Sequence, residues 1–87
     1  MNTQPYLLSF EFDRDGQELR IHGDSKGLER LAQMVSLLIA RTQPGHFSHD
    51  HMMTPAWAGN ELSERNKGGA VINSVKVYCW KGEDPQI

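Results

Sequence analysis

Asp24-Ser25-Lys26-Gly27-Leu28-Glu29-Arg30-Leu31-Ala32-Gln33-Met34-Val35-Ser36-Leu37-Leu38-Ile39-Ala40-Arg41-Thr42 decides the fold. Leu28, Leu31, Ala32, Val35, Leu38 and Ile39 recur there at spacings of three and four, which puts them on one stripe of a helix. Glu29, Arg30, Gln33 and Ser36 fall off that stripe, and Met34 and Leu37 widen it, as suits a helix lying on a sheet. Asp24 offers a carboxylate to the open N–H groups of the first turn. Arg41 suits the negative end of the helix dipole. Pro44-Gly45 ends the run, because a residue before proline disfavours the helical region. The spacing predicts a helix over Ser25 to Thr42.

Upstream, Tyr6, Leu8, Phe10 and Phe12 alternate with Leu7, Ser9, Glu11 and Asp13, the period of a half-buried strand. Asp13-Arg14-Asp15-Gly16 reads as a turn, with Gly16 free to take positive φ. Leu19 and Ile21 continue as a second strand, so the two form a hairpin. Downstream, His46 to Met53 reads as a third strand, and Thr54-Pro55-Ala56-Trp57-Ala58-Gly59 as one short helical turn with proline at its first position. Asn60 to Glu64 reads as a short extended piece. Asn66-Lys67-Gly68-Gly69 is a strong turn signal. On the last strand, Val71, Val75, Val77 and Cys79 share one face, and Ile72, Lys76, Tyr78 and Trp80 the other. The expected architecture is a single α+β domain over residues 1–87, with 1–4 and 82–87 as frayed tails. It has one antiparallel or mixed sheet of four or five strands in the order ββαββ, with the helix packed on one face. Nothing else in the chain is large enough to cover the other face, where Tyr78, Trp80 and Ile72 should point.

The 87 residues carry 9 Lys plus Arg against 11 Asp plus Glu, a formal net charge of -2. A dedicated nucleic-acid binder normally shows a basic excess, since phosphate neutralisation supplies most of its affinity; no nucleic-acid partner is expected. Hydrophobic residues make up 38% and the mean hydropathy is -0.56, an ordinary globular composition. No apolar stretch approaches the roughly 20 residues that span a bilayer, so no membrane partner is expected. The N-terminus, Met1-Asn2-Thr3-Gln4-Pro5, lacks the basic cluster and apolar core of a secretory signal. A lone cysteine, Cys79, permits no internal disulfide. A cytoplasmic location fits both features.

Three side-chain constellations could carry chemistry. His49 and His51 stand two apart on a strand and so face one way, where two imidazoles could grip a metal ion with His46 or His22 as a third ligand. Structural zinc sites are normally four-coordinate, and only two ligands are well placed here. A polar strand face is the commoner meaning, and no cofactor is expected. Cys79 could be paired with a histidine as a nucleophile, but a cysteine in a valine-rich alternation is far more often a small core residue. Asp13, Asp15, Gly16 and Glu18 resemble a fragment of a calcium loop, yet strands flank them where the motif needs helices. No catalytic motif is present, and no catalysis is expected.

The aromatic residues say more. Tyr78 and Trp80 fall on the face expected to be bare, and Trp57 sits in a loop of about 16 residues, longer than most connections. Tyrosine and tryptophan dominate interface energetics, and large apolar patches on small monomers usually meet a partner. The alternative for Trp57 is local: it packs under its own loop while Leu62 pins that loop to the core.

Three segments, His22-Gly23-Asp24-Ser25-Lys26-Gly27-Leu28-Glu29-Arg30-Leu31-Ala32, His49-Asp50-His51-Met52 and Gly59-Asn60-Glu61-Leu62-Ser63, occur in an order that resembles the immunity protein 32 family of bacterial polymorphic toxin systems. The resemblance spans roughly residues 18 to 80, and the stretch from Ser63 to Ala70 is longer than the family leads one to expect. It implies a cytoplasmic, non-catalytic protein that binds and blocks a cognate toxin. The matching positions are Gly23, Asp24, Gly27, Leu28, His49, His51, Asn60, Leu62 and Ser63. Of these, Asp24 is expected as a cap, Gly27 where helix and strand approach closely, and Leu28 in the core. His49, His51, Trp57 and Asn60 remain as candidate contacts, joined by Tyr78 and Trp80 from the bare face. A homodimer through that face and a histidine-based metal-binding protein are the alternative readings.

Overall fold

The computed structural model describes residues 5–65 and 68–82. Asn66 and Lys67 of the expected turn, and most of both expected tails, lie outside the described residues. β1 (Leu8–Asp13) and β2 (Glu18–Gly23) form the hairpin, and α1 (Ser25–Arg41) follows. Then come β3 (Phe47–Met53), a 3-10 turn over Pro55–Trp57, the two-residue β4 (Ala70–Val71) and β5 (Ser74–Trp80). The protein is α+β, with one helix and antiparallel strands among the described residues.

Local chemistry sets the ends of these elements. Asp13 Oδ1 accepts from the N–H groups of Asp15 and Gly16 at 3.1 and 3.3 Å, which tightens the hairpin turn. The turn thereby places its positive φ at Gln17, at 53°, and not at Gly16 as the sequence suggested. Asp24 Oδ1 accepts from Gly27 N at 2.7 Å and caps α1, while its Oδ2 accepts from Leu7 N at 3.1 Å. One carboxylate thus starts the helix and ties it to the approach of β1. Asp24→Ala is expected to lower stability by about 1–2 kcal/mol, the upper part of the range for a lost cap; thermal unfolding of the two proteins checks it. The helix ends one residue early. Thr42 takes an extended conformation, and its N–H and hydroxyl both return to Leu38 O.

The strands do not form the single sheet expected. They make a three-stranded sheet, β2-β1-β4, and a two-stranded sheet, β3-β5. The last strand is the cause. Its first part pairs with β1, Ala70 with Phe12 and Val71 with Glu11. The chain breaks stride at Ile72 and Asn73 and then pairs along all of β3. Where β4/β5 leaves β1, residues 62 and 63 take its place: Ser63 N donates to Leu8 O at 2.7 Å and Leu62 N to Met53 O at 3.2 Å. Ile72 N donates to Phe10 O and Thr54 N to Asn73 O, so four backbone links close a ring around one end of the domain. Leu8, Phe10, Met52 and Leu62 form the buried core there, with Tyr6, Leu31, Met34, Ile72 and Val75 packed against them.

The break in stride overturns one expected facing. Ile72 packs on the core and does not share the open face with Tyr78 and Trp80, because alternation does not carry through Asn73. β1 is buried on both faces over its first four residues, Ser9 and Glu11 included, although the alternation assigned those two to a polar side. Leu28, expected in the core, is 46% exposed: it lies at the helix N-terminus beside Gly23, beyond the end of the sheet contact. Leu62 is fully buried, as the pinning of the loop required.

Candidate functional site

β3 and β5 pair in a register that sets Phe47 opposite Trp80, His49 opposite Tyr78 and His51 opposite Lys76. The bonds at the two ends, Thr54 N to Asn73 O at 3.0 Å and Lys81 N to His46 O at 2.8 Å, identify the even-numbered residues of β3 as the hydrogen-bonded pairs. The three pairs above are therefore of the other kind, whose side chains stand closest across an antiparallel ladder. Their rings meet accordingly. Phe47 stacks on Trp80 at 4.6 Å between centroids, Trp80 lies 6.2 Å from Tyr78, Tyr78 lies 5.1 Å from His49, and His49 lies 6.4 Å from His51. Five rings thus form one continuous ladder along one sheet face.

That face is open. Phe47 is 54% exposed and Tyr78 and Trp80 are each 46% exposed; His49, His51 and Lys76 are exposed as well. The opposite face carries Ser48, Asp50 and Met52 with Val75, Val77 and Cys79, and α1 roofs it through Leu31 and Met34. Cys79 is a free, half-buried thiol on that roofed side. The ladder face therefore bears only potentially cationic groups, Lys76 and two imidazoles, because the one carboxylate of these strands, Asp50, belongs to the roofed side.

Two basic side chains anchor the support to the helix. Arg41 Nη2 donates to His49 O at 2.7 Å and lies 3.9 Å from Asp50 Oδ2. Lys81 Nζ donates to Ile39 O at 2.6 Å, satisfying one of the last carbonyls of α1. The ladder thus rests on strands tied to the helix C-terminus at His49 and Lys81, toward their Phe47–Trp80 end.

The other candidates lie apart from it. Trp57 is 57% exposed on the 3-10 turn, so it does not pack under its own loop, and it makes no ring contact among the described residues. Asn60 is exposed on the same loop. His22 belongs to the other sheet, where its Nε2 sits 3.2 Å from Oε1 of the fully buried Glu11. His46 is exposed just before β3. Among the described residues no three of His, Cys, Asp or Glu are grouped so as to hold a metal ion, so the third ligand that His49 and His51 would need is not provided.

Two features escaped the sequence reading. Phe47 begins the ladder; its alternation with His49 and His51 was visible but carried no weight beside the histidines. A groove of about 380 Å³ between α1 and β3 is lined by Tyr6, Arg30, Met34, Asp50, His51 and Glu61, with the Arg30 guanidinium 5.9 Å over the Tyr6 ring. His51 joins the groove to the ladder. No sequence signal marks the groove, because it arises only where the helix crosses the strand.

No helix among the described residues is long and apolar enough to cross a membrane. In comparisons with known proteins, no family model, curated protein or solved structure matches the chain.

Proposed function

We propose that this protein acts by binding: it docks its ring ladder onto a protein partner, which we take to be a cognate bacterial toxin neutralised in the cytoplasm by occlusion. The observation that carries the reading is the exposure of Phe47, Tyr78 and Trp80 in one contiguous stripe. Aromatic residues half-exposed at this size leave roughly 200–400 Å² of ring surface open between them. That is comparable to the largest apolar patch on a typical monomer, which is often functional. The resemblance of the three motifs to immunity proteins supplies the class of partner. Trp57 and Asn60 offer a second contact, apart from the ladder, on the loop that follows β3, and Lys76 on the ladder face favours an acidic rim on the toxin.

Co-expression with a toxin domain, sought first in the adjacent gene, tests the reading. Rescue of growth and recovery of a complex are expected. Failure to rescue, with no complex formed, overturns it. Within such a complex, Tyr78→Ala is expected to weaken binding by about 2 kcal/mol, the threshold of an anchor residue. The same change should leave the melting temperature of the free protein nearly unchanged, since the ring is already 46% exposed.

A further inference from the structure

The two long edges of the β3-β5 ribbon differ. Along the outer edge of β3 four of the outward-pointing backbone groups, from His49 to Met53, are taken by a side chain or by the neighbouring loop. Arg41 donates to His49 O, Asp50 Oδ1 accepts from His51 N at 2.9 Å, and Glu61 Oε1 accepts from Met53 N at 3.0 Å, while Met53 O takes Leu62 N. Such capping is how proteins stop an edge from recruiting another strand. Along β5 the odd-numbered residues bond to β3, so the N–H and C=O groups of Lys76, Tyr78 and Trp80 point the other way. β1 occupies that side only as far as Ile72, and beyond it these groups have no hydrogen-bond partner among the described residues.

We propose that the open edge of β5 pairs antiparallel with β5 of a second copy of this chain, about a two-fold axis at Tyr78, to make a four-stranded sheet β3-β5-β5-β3. Antiparallel pairing of a strand with itself places Tyr78 opposite Tyr78, and Lys76 opposite Trp80 on both sides of the axis. Each of these three pairs exchanges two backbone hydrogen bonds. The charges favour this occupant. Lys76 is the one formal charge on the edge residues, and the two-fold sets it against the indole of Trp80 and away from its own copy, a cation–π arrangement in place of a repulsion. β2 also has an outward edge, at Leu19 and Ile21, but it carries Arg20 locked to Glu18 and Asp13 at 2.8 and 3.1 Å, and charged edges of that kind resist pairing. Pairing through backbone leaves the ring faces open, so the two ladders run on into one aromatic surface of twice the length. The inference concerns the edge and stands whether or not the partner is a toxin.

Sedimentation of the intact protein from micromolar to millimolar concentration is the first test, and a reversible monomer–dimer equilibrium is expected. A monomer throughout overturns the proposal. Lys76→Pro deletes an N–H that points away from β3, so the β3-β5 ladder keeps its own bonds. It is expected to raise the dimer dissociation constant by about tenfold or more, since two interface bonds are lost per dimer; an unchanged constant in a folded variant contradicts the edge assignment. A second pair of variants decides the matter even if the proline variant does not fold. In a Cys79→Ser background, Tyr78→Cys is expected to form a disulfide-linked dimer on mild oxidation, because opposed residues of a hydrogen-bonded pair lie about 5.5 Å apart at Cα. Ile21→Cys in the same background is expected to stay monomeric. Crosslinking at Ile21, or none at Tyr78, rejects β5 as the meeting edge.

Discussion

Leu62→Ala is expected to lower the free energy of unfolding by about 3–5 kcal/mol, the upper part of the range for a leucine truncated in a packed core. Leu62 has no exposed surface, and its side chain fills the core with Leu8, Phe10 and Met52. Its backbone sits where the two sheets are joined, with its N–H on Met53 and that of Ser63 on Leu8. Ser63 Oγ also accepts from Leu8 N at 3.2 Å, so the backbone at this point is held from both sides and cannot collapse into the space a smaller side chain would leave. Urea unfolding provides the measurement, with Leu37→Ala as the reference. Leu37 is 61% exposed on the same helix that roofs the core, and its truncation should cost less than about 1 kcal/mol. Similar losses for the two variants would contradict the joint as described.

Gly27→Ala is the second large effect, and its sign separates tertiary packing from helix propensity. In an open helix, alanine in place of glycine stabilises by about 1 kcal/mol. Here a Cβ on Gly27 would collide with the carbonyl of Leu7, a backbone group that cannot rotate away. That carbonyl also accepts from Asp24 N at 3.2 Å, so moving it strains the cap. The expected outcome is a loss of about 3 kcal/mol, at the upper end of typical overpacking costs. Thermal unfolding beside Lys26→Ala, an exposed neighbour in the same turn, gives the comparison. A rise in stability on Gly27→Ala would mean that α1 and the approach to β1 are not in contact at this point.

The sequence disclosed the parts that follow local rules. The extent of α1, the Asp24 cap and the β1-β2 hairpin are set by residues within a few positions of one another, and each forms close to where spacing and capping chemistry placed it. The expected stripe holds only in part: Leu31, Val35 and Leu38 turn inward with Met34, whereas Leu28, Ala32 and Ile39 are exposed. The 3-10 turn is also locally set, with Thr54 and Pro55 at the expected positions, although Ala58 and not Gly59 takes the left-handed conformation. Gly59 is needed for another reason: a Cβ there would lie 2.5 Å from Met53 O.

What local rules could not show is pairing over distance. Period two assigns residues to faces only while a strand runs unbroken, and nothing about Ile72-Asn73 announces that the strand changes neighbours there. Hence the single expected sheet became two, and Ile72 went to the core. The burial of Ser9 and Glu11 has the same origin, since β1 is flanked by partners drawn from both ends of the chain. The ladder was partly legible. Tyr78, Trp80, His49 and His51 each belonged to an alternating run, but their union depended on the register of β3 against β5, which also brought in Phe47.

Calorimetric titration of the proposed partner, a cognate toxin domain, with the wild-type protein and with Trp80→Ala tests the docking role of the ladder most directly. A one-to-one complex per chain is expected for the wild type and an affinity about 30-fold weaker for the variant, the equivalent of about 2 kcal/mol. Equal affinities for the two proteins, both correctly folded, would contradict it.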